Sequence, residues 1–283
     1  MRHAISMKMN FEEYRTRFQC EPLAQTEQSW AFTVTKDGEK RVVKMYPSTF
    51  DRCREELAYA YLNAKGLLRI PKLYFVGEDF IEIQFLEKEG DLTIKEIIAG
   101  IAKMYRETHR DSHPKGYFPK LDLSKDKLFY RLEYIPKELE KRGVLDTWLI
   151  SMSRRFVESE YQPSQNQCLV HGDLKSPHII KTKDGTFYID LALLSVASPW
   201  YDLAFSFMEH RDRRELLPVL SSAAFELIGS DLGATQNEVT EYLKSAIFYR
   251  SLYDVGFAAR HRSDKPLART IKDLKEILEG KVY

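Results

Sequence analysis

The sequence predicts an α+β fold, and three observations carry that prediction. β-rich runs bounded by turn dipeptides crowd residues 30–86, where strands and hairpins are the expected product. A second, smaller set of such runs recurs at residues 168–190. Helical spacing of apolar residues fills most of 93–158 and the stretch after Asp202. At 283 residues the chain is long enough for one large domain or two lobes sharing a sizeable core.

Phe11, Tyr14 and Phe18 with charged residues between them predict a short amphipathic helix over Phe11–Arg17. Residues 30–34 alternate, Asp37-Gly38 is a hairpin turn, and Arg41 to Tyr46 follows as its partner strand. Asp51 to Ala64 reads as a helix whose face is Ala58, Tyr59 and Leu62 and whose stop is Gly66. Glu55 turns with that face and Glu56 away from it. Pro71 to Gly77 and Phe80 to Leu86 are two strands around Glu78-Asp79.

Thr93 with Glu96 forms a capping box ahead of Ile94, Ile97, Ile98, Ile101 and Tyr105, the pattern of a core helix ending near His109, for which a structural role is expected. A loop over 111–124 leads to a helix over Lys127–Ile135, which Pro136 is expected to end, and then to another over Leu145–Glu158. The run Cys168 to Leu191 then reads as strand, loop, strand, Asp184-Gly185 turn and strand. Beyond Asp202 the chain is helical, with a second capping box at Thr235 and Glu238 ahead of a buried stripe of Val239, Tyr242, Leu243, Ala246 and Ile247.

Composition narrows the function. A net charge of +1 provides no basic field for nucleic acid, which is excluded as the main partner. Cys20, Cys53 and Cys168 are widely spaced and form no CxxC, so neither a disulfide framework nor a structural zinc site is expected, and a reducing, cytoplasmic location fits best. Met1 to Asn10 has no apolar core of signal-peptide type, and no uninterrupted apolar run reaches spanning length, so no secretory signal and no integral membrane segment are expected.

The chemistry lies in LVHGDLKSPHII and the hairpin after it. Asp173 sits in the loop and Asp190 at the exit of a strand, two carboxylates of the kind that hold a divalent cation or work as an acid and base. The register of HGDLKSPH, followed by SPWYDLAF, resembles the aminoglycoside phosphotransferase and choline kinase family of small-molecule kinases. The resemblance implies a bilobal protein-kinase-like fold. Its small N-terminal lobe of antiparallel sheet, residues 1–88, binds nucleotide, and its larger, mostly helical C-terminal lobe, residues 89–283, carries catalysis and the acceptor. It implies ATP and Mg2+ as cofactors and a small-molecule hydroxyl acceptor as partner.

By position in that pattern, Asp173 is the catalytic base, His171 orders the loop, Lys175 contacts the γ-phosphate, His178 and Asp190 are metal ligands, and Asp202 braces the loop. Lys44 matches the lysine that binds the α and β phosphates, with Glu55 as its expected partner and Glu56 as the alternative, and Ser29 stands before the second strand where a polar residue meets the phosphates. Phe85 to Gly90 corresponds to the segment that holds adenine.

Three departures stand beside the match. His178 replaces the usual Asn, Asp190 is followed by Leu-Ala with no neighbouring glycine, and the loop Gln25 to Ser29 contains none, since the first glycine of the chain is Gly38. The excess of Arg260, His261, Arg262 and Lys265 over Asp254 and Asp264 points to a neutral or anionic acceptor. The alternatives are a lipopolysaccharide-core sugar kinase or a catalytically weak pseudokinase that binds nucleotide or a partner.

Overall fold

A computed structural model describes residues 10–25, 29–109, 118–209, 213–261 and 264–281. The chain divides into two compact units, one comprising residues up to Leu92 together with Ser176–Leu194, the other Thr93–Lys175 with Ser195 onward.

The first unit is built on a five-stranded antiparallel sheet of β1 (Cys20–Gln25), β2 (Trp30–Lys36), β3 (Glu39–Met45), β4 (Leu73–Val76) and β5 (Phe80–Gln84), in the order β1-β2-β3-β5-β4. Asp37 and Gly38 both have positive φ, the two-residue turn whose twist suits the β2–β3 hairpin. Strand alternation gives the sheet two different faces. Val43 and Met45 on β3 and Phe80 on β5 share one face, where they join Phe11 and Tyr14 of α1 (Phe11–Arg17) in a buried cluster. A buried carboxylate, Glu82, lies on the same face and accepts from Tyr14 Oη at 2.6 Å and Arg41 at 2.6 Å, tying α1 to the sheet.

Residues of the other parity on β3, Val42 and Lys44, belong to the opposite face, which faces α2 (Thr49–Lys65). The α2 buried stripe is Glu55, Ala58, Tyr59 and Leu62, so a carboxylate takes one turn of an otherwise apolar face. The hairpin β7 (Ile179–Thr182) and β8 (Gly185–Tyr188) completes the unit, and the turn at Leu191–Leu193 after it rests against α2.

In the second unit α3 (Ile94–Thr108) packs on β6 (Cys168–Val170), which pairs with β9 (Ser195–Ala197). The expected capping box at Thr93 and Glu96 is present. His109 closes α3 in a structural role, its ring stacked on Tyr105.

α4 (Lys125–Lys141) does not end at Pro136 but runs five residues beyond it. Two observations explain this correction. The apolar stripe Leu128, Leu132, Ile135 and Leu139 continues across the proline. The carbonyl that Pro136 leaves without a helical donor, that of Leu132, accepts instead from the Arg154 guanidinium of α5 (Thr147–Ser159) at 3.3 Å.

α6 (Trp200–Glu209), α7 (Arg213–Ala224), α8 (Gln236–His261) and α9 (Asp264–Leu278) follow. α8 touches α4, α6, α7 and α9, and Ser245, Phe248 and Tyr249 are buried on it along with Val239 and Leu243. Its burial is therefore broader than the single expected stripe. No single helix among the described residues is long and apolar enough to cross a membrane.

Candidate active site

The expected site residues fall into two groups, one in each unit. In the first unit Lys44, Glu55, His178 and Asp190 come together. Strand alternation turns Lys44 toward α2, where its Nζ lies 2.7 Å from Glu55 Oε2 and 2.6 Å from Asp190 Oδ1. Glu56, on the other side of the helix, pairs with Arg52 at 2.6 Å. Burial alone would lower the Lys44 ammonium, but the carboxylates of Glu55 and Asp190 outweigh it and hold the group above its ordinary value.

Asp190 is a non-glycine residue in left-handed backbone conformation, φ 62° and ψ 58°. Such a conformation is uncommon and marks a position that its surroundings hold. The next N–H, that of Leu191, donates to Glu55 Oε1 at 3.4 Å, which ties the Asp190 turn to α2. The second Asp190 oxygen, Oδ2, lies 3.2 Å from His178 Nε2, because the short helical turn Ser176–His178 brings the imidazole to the start of the hairpin.

In the second unit Asp202 organises the loop after β6. Its buried carboxylate accepts from the His171 N–H at 2.7 Å and the Gly172 N–H at 3.0 Å. Burial raises the Asp202 carboxyl, while those two donors and the His171 ring pull against it. Gly172 has φ 83°, a conformation that glycine adopts without a steric penalty, and it carries the chain directly into Asp173. The Asp173 N–H donates to His171 Nδ1 at 3.4 Å, and Asp173 Oδ2 lies 2.8 Å from Lys175 Nζ.

Ser29 is half-buried at the entry to β2, and residues 26–28 of its loop lie outside the described residues. Within the segment Phe85–Gly90, the Glu89 N–H is already committed to the Lys181 carbonyl at 2.7 Å.

A cavity of about 470 Å³ opens between α8 and α9 of the second unit, lined by Met208, Ser251, Asp254, Pro266, Arg269 and Asp273 among others. Asp254 is held by two contacts from Arg250, Nε to Oδ2 at 3.0 Å and a second nitrogen to Oδ1 at 2.8 Å. Arg269 Nε lies 4.0 Å from Asp273 Oδ2. Burial pushes the Asp254 carboxyl up, Arg250 pulls it down, and the negative charge of Asp173 adds to the upward push. The arginines that flank the expected basic excess, Arg250 and Arg269, are thus paired with acidic residues of the cavity. Arg260 stacks on Tyr134 with its guanidinium 3.9 Å from the ring, and Arg262 lies outside the described residues.

Two features escaped the sequence reading. The i, i+4 spacing of Arg250 with Asp254 and of Arg269 with Asp273 was a signal for the paired cavity wall. Tyr46, two residues after Lys44, donates its hydroxyl to Glu55 Oε2 at 2.6 Å, and strand parity was the signal for it.

The first unit's donors suit a divalent cation. Asp190 offers a carboxylate and His178 an imidazole nitrogen beside it, a hard oxygen that magnesium accepts and a nitrogen that suits softer cations such as manganese better.

The family model described as "Phosphotransferase enzyme family" matches residues 20–234. An aminoglycoside 3'-phosphotransferase of Campylobacter jejuni is 42% identical over 53 residues, 19% of this chain, so the match spans about a fifth, 21%, of that curated relative. Among solved structures, the GDP complex of aminoglycoside 2'-phosphotransferase-IIIa superposes with a TM-score of 0.68 at 15% identity, covering 96% of this chain and 100% of that one. A macrolide 2'-phosphotransferase from Brachybacterium faecium gives 0.64 at 12% identity over 93% and 95% of the two chains. Choline kinase from Cryptosporidium parvum gives 0.64 at 13% over 95% and 92%. These likenesses show a bilobal protein-kinase-like fold with a small N-terminal sheet lobe and a larger helical C-terminal lobe. With the family model spanning most of its length, the chain belongs to the phosphotransferase enzyme family, the small-molecule kinases typified by aminoglycoside phosphotransferases and choline kinases.

Proposed function

We propose that the chain transfers the γ-phosphoryl group of ATP to a hydroxyl of a small molecule that is neutral or anionic. The observation that carries this reading is the Lys44 ammonium held between Glu55 and Asp190 at 2.7 and 2.6 Å, with His178 on the other Asp190 oxygen. In this reading Lys44 neutralises the α and β phosphates, Glu55 fixes its position, and Ser29 meets the phosphates where the loop has no glycine. Asp190 and His178 hold magnesium or manganese, which when bound offsets negative charge on the phosphate oxygens.

Asp173 orients the acceptor hydroxyl and takes its proton as the hydroxyl oxygen bonds to the γ phosphorus and ADP departs. Lys175 offsets charge on the moving group, and His171 with Asp202 keeps the loop in shape. Phosphoryl transfer requires placement and charge stabilisation more than covalent chemistry, so this modest set of side chains is sufficient.

The cavity between α8 and α9 supports the acceptor's charge class. Its carboxylates Asp254 and Asp273 each face an arginine, Arg250 and Arg269. A polycation would have to compete with those arginines, whereas an uncharged hydroxylated molecule leaves them undisturbed. The free cysteines Cys20, Cys53 and Cys168 fit a reducing cytoplasm.

A coupled kinase assay across hydroxyl-bearing small molecules, run with magnesium and with manganese, tests the proposal. Turnover of neutral sugars or other uncharged or anionic alcohols ahead of aminoglycosides is expected. A clear preference for polycationic aminoglycosides would overturn the acceptor class.

A further inference from the structure

We infer that Tyr46 is a positioning residue for phosphate binding, acting through Glu55 on Lys44; the inference rests on the reading that Lys44 holds the nucleotide's phosphates. Tyr46 follows Lys44 by two residues and so keeps to the same side of the extended chain. Its N–H bonds the Asp79 carbonyl at 2.8 Å, continuing the pairing just past the end of β3. The ring is buried, with 3% of its surface exposed, and the hydroxyl donates to Glu55 Oε2 at 2.6 Å. That oxygen also accepts Lys44 Nζ at 2.7 Å, while Oε1 accepts from the Leu191 N–H at 3.4 Å.

Glu55 has no exposed surface, so its charge depends on these donors. Lys44 is shared between Glu55 and Asp190. When phosphates draw on the same ammonium, Glu55 gives up part of its counter-charge, and the Tyr46 hydroxyl is the side-chain donor that remains. Without that hydroxyl the buried carboxylate would hold Lys44 more tightly and release less of its charge to the phosphates. Tyr46 therefore sets how Lys44 is divided between its internal partner and the ligand.

Tyr59 provides an internal control. It is fully buried on the same helix face as Glu55, yet its hydroxyl has no hydrogen-bond partner among the described residues. Removing that hydroxyl leaves the Glu55 donors untouched.

The test is calorimetric binding of Mg·ATP and of adenosine to the full chain. Tyr46→Phe, which keeps the ring, is expected to weaken Mg·ATP about tenfold and to leave adenosine binding unchanged. Tyr59→Phe is expected to change neither. In a Glu55→Met background, where the hydroxyl has no carboxylate to act on, Tyr46→Phe should alter Mg·ATP affinity by less than about twofold. Equal weakening of Mg·ATP and adenosine would mean a purely structural role and overturn the inference. So would an undiminished effect in the Glu55→Met background, or Mg·ATP binding by Tyr46→Phe equal to wild type. The Lys44→Met/Glu55→Gln double variant separates the two levels. If it binds Mg·ATP as wild type does, the underlying reading of Lys44 fails; if it loses binding while Tyr46→Phe keeps it, only the role of Tyr46 fails.

Discussion

A lysine and a glutamate at 2.7 Å, one of them with no exposed surface, are costly to separate. Lys44→Met would leave Glu55 charged and buried without its cation, and a loss of about 3 kcal/mol of stability is expected on that ground. Adding Glu55→Gln should restore most of the stability in thermal or denaturant unfolding without restoring nucleotide binding, because the lost stability comes from an uncompensated charge and the lost binding from a missing cation. Recovery of binding in the double variant would contradict the role given to Lys44. His178 offers a second test at this scale. His178→Asn exchanges an imidazole nitrogen for an amide oxygen and should shift the ratio of turnover with magnesium to turnover with manganese in favour of magnesium. An unchanged ratio would remove His178 from the metal site. The structure brings Lys44 to Glu55 and Asp190, and His178 to Asp190, residues that the resemblance carried by HGDLKSPH and VVKMY had picked out. The Tyr46 contact was less legible, because alternation along an extended chain puts residue 46 on the side of Lys44 but does not name its partner on α2.

Helices and strands were legible where one face is apolar and the ends are marked. α1, α2 and α3 lie close to the expected ranges for this reason, with capping boxes at Asn10 and Thr93 and a left-handed Gly66 closing α2. β1 was not foreseen. Its residues, CEPLAQ, include Pro22 and show no clear alternation, and the pairing with β2 carries an irregularity between Pro22 and Ala24. Proline misled the reading of α4 in the opposite direction, since a tertiary partner absorbs the carbonyl that the ring leaves free. The partner can be tested. Arg154→Met should cost about 1 kcal/mol in unfolding experiments by orphaning the Leu132 carbonyl. In a Pro136→Ala background, where a backbone N–H is available to the same carbonyl, that cost should largely vanish. Equal costs in the two backgrounds would show that the Arg154 contact is incidental.

Across the whole molecule, the α+β character follows from where the two hydrophobic periods change over, and those changes are plain in the sequence. The grouping of Ser176–Leu194 with the N-terminal residues is a long-range fact that no local pattern encodes. It depends on contacts such as the Tyr188 N–H to the Arg69 carbonyl at 2.9 Å and Leu191 to Glu55. The same grouping explains why Asp190 and His178 share a setting with Lys44, while Asp173 and Lys175 belong to the loop that Asp202 holds. Binding and turnover should therefore be separable by mutation. The most direct measurement is Asp173→Ala, assayed both for Mg·ATP binding by calorimetry and for phosphoryl transfer to whichever acceptor the screen identifies. Nucleotide affinity within about threefold of wild type, with turnover reduced by at least about a thousandfold, is the expected result; wild-type turnover from the alanine variant would contradict it.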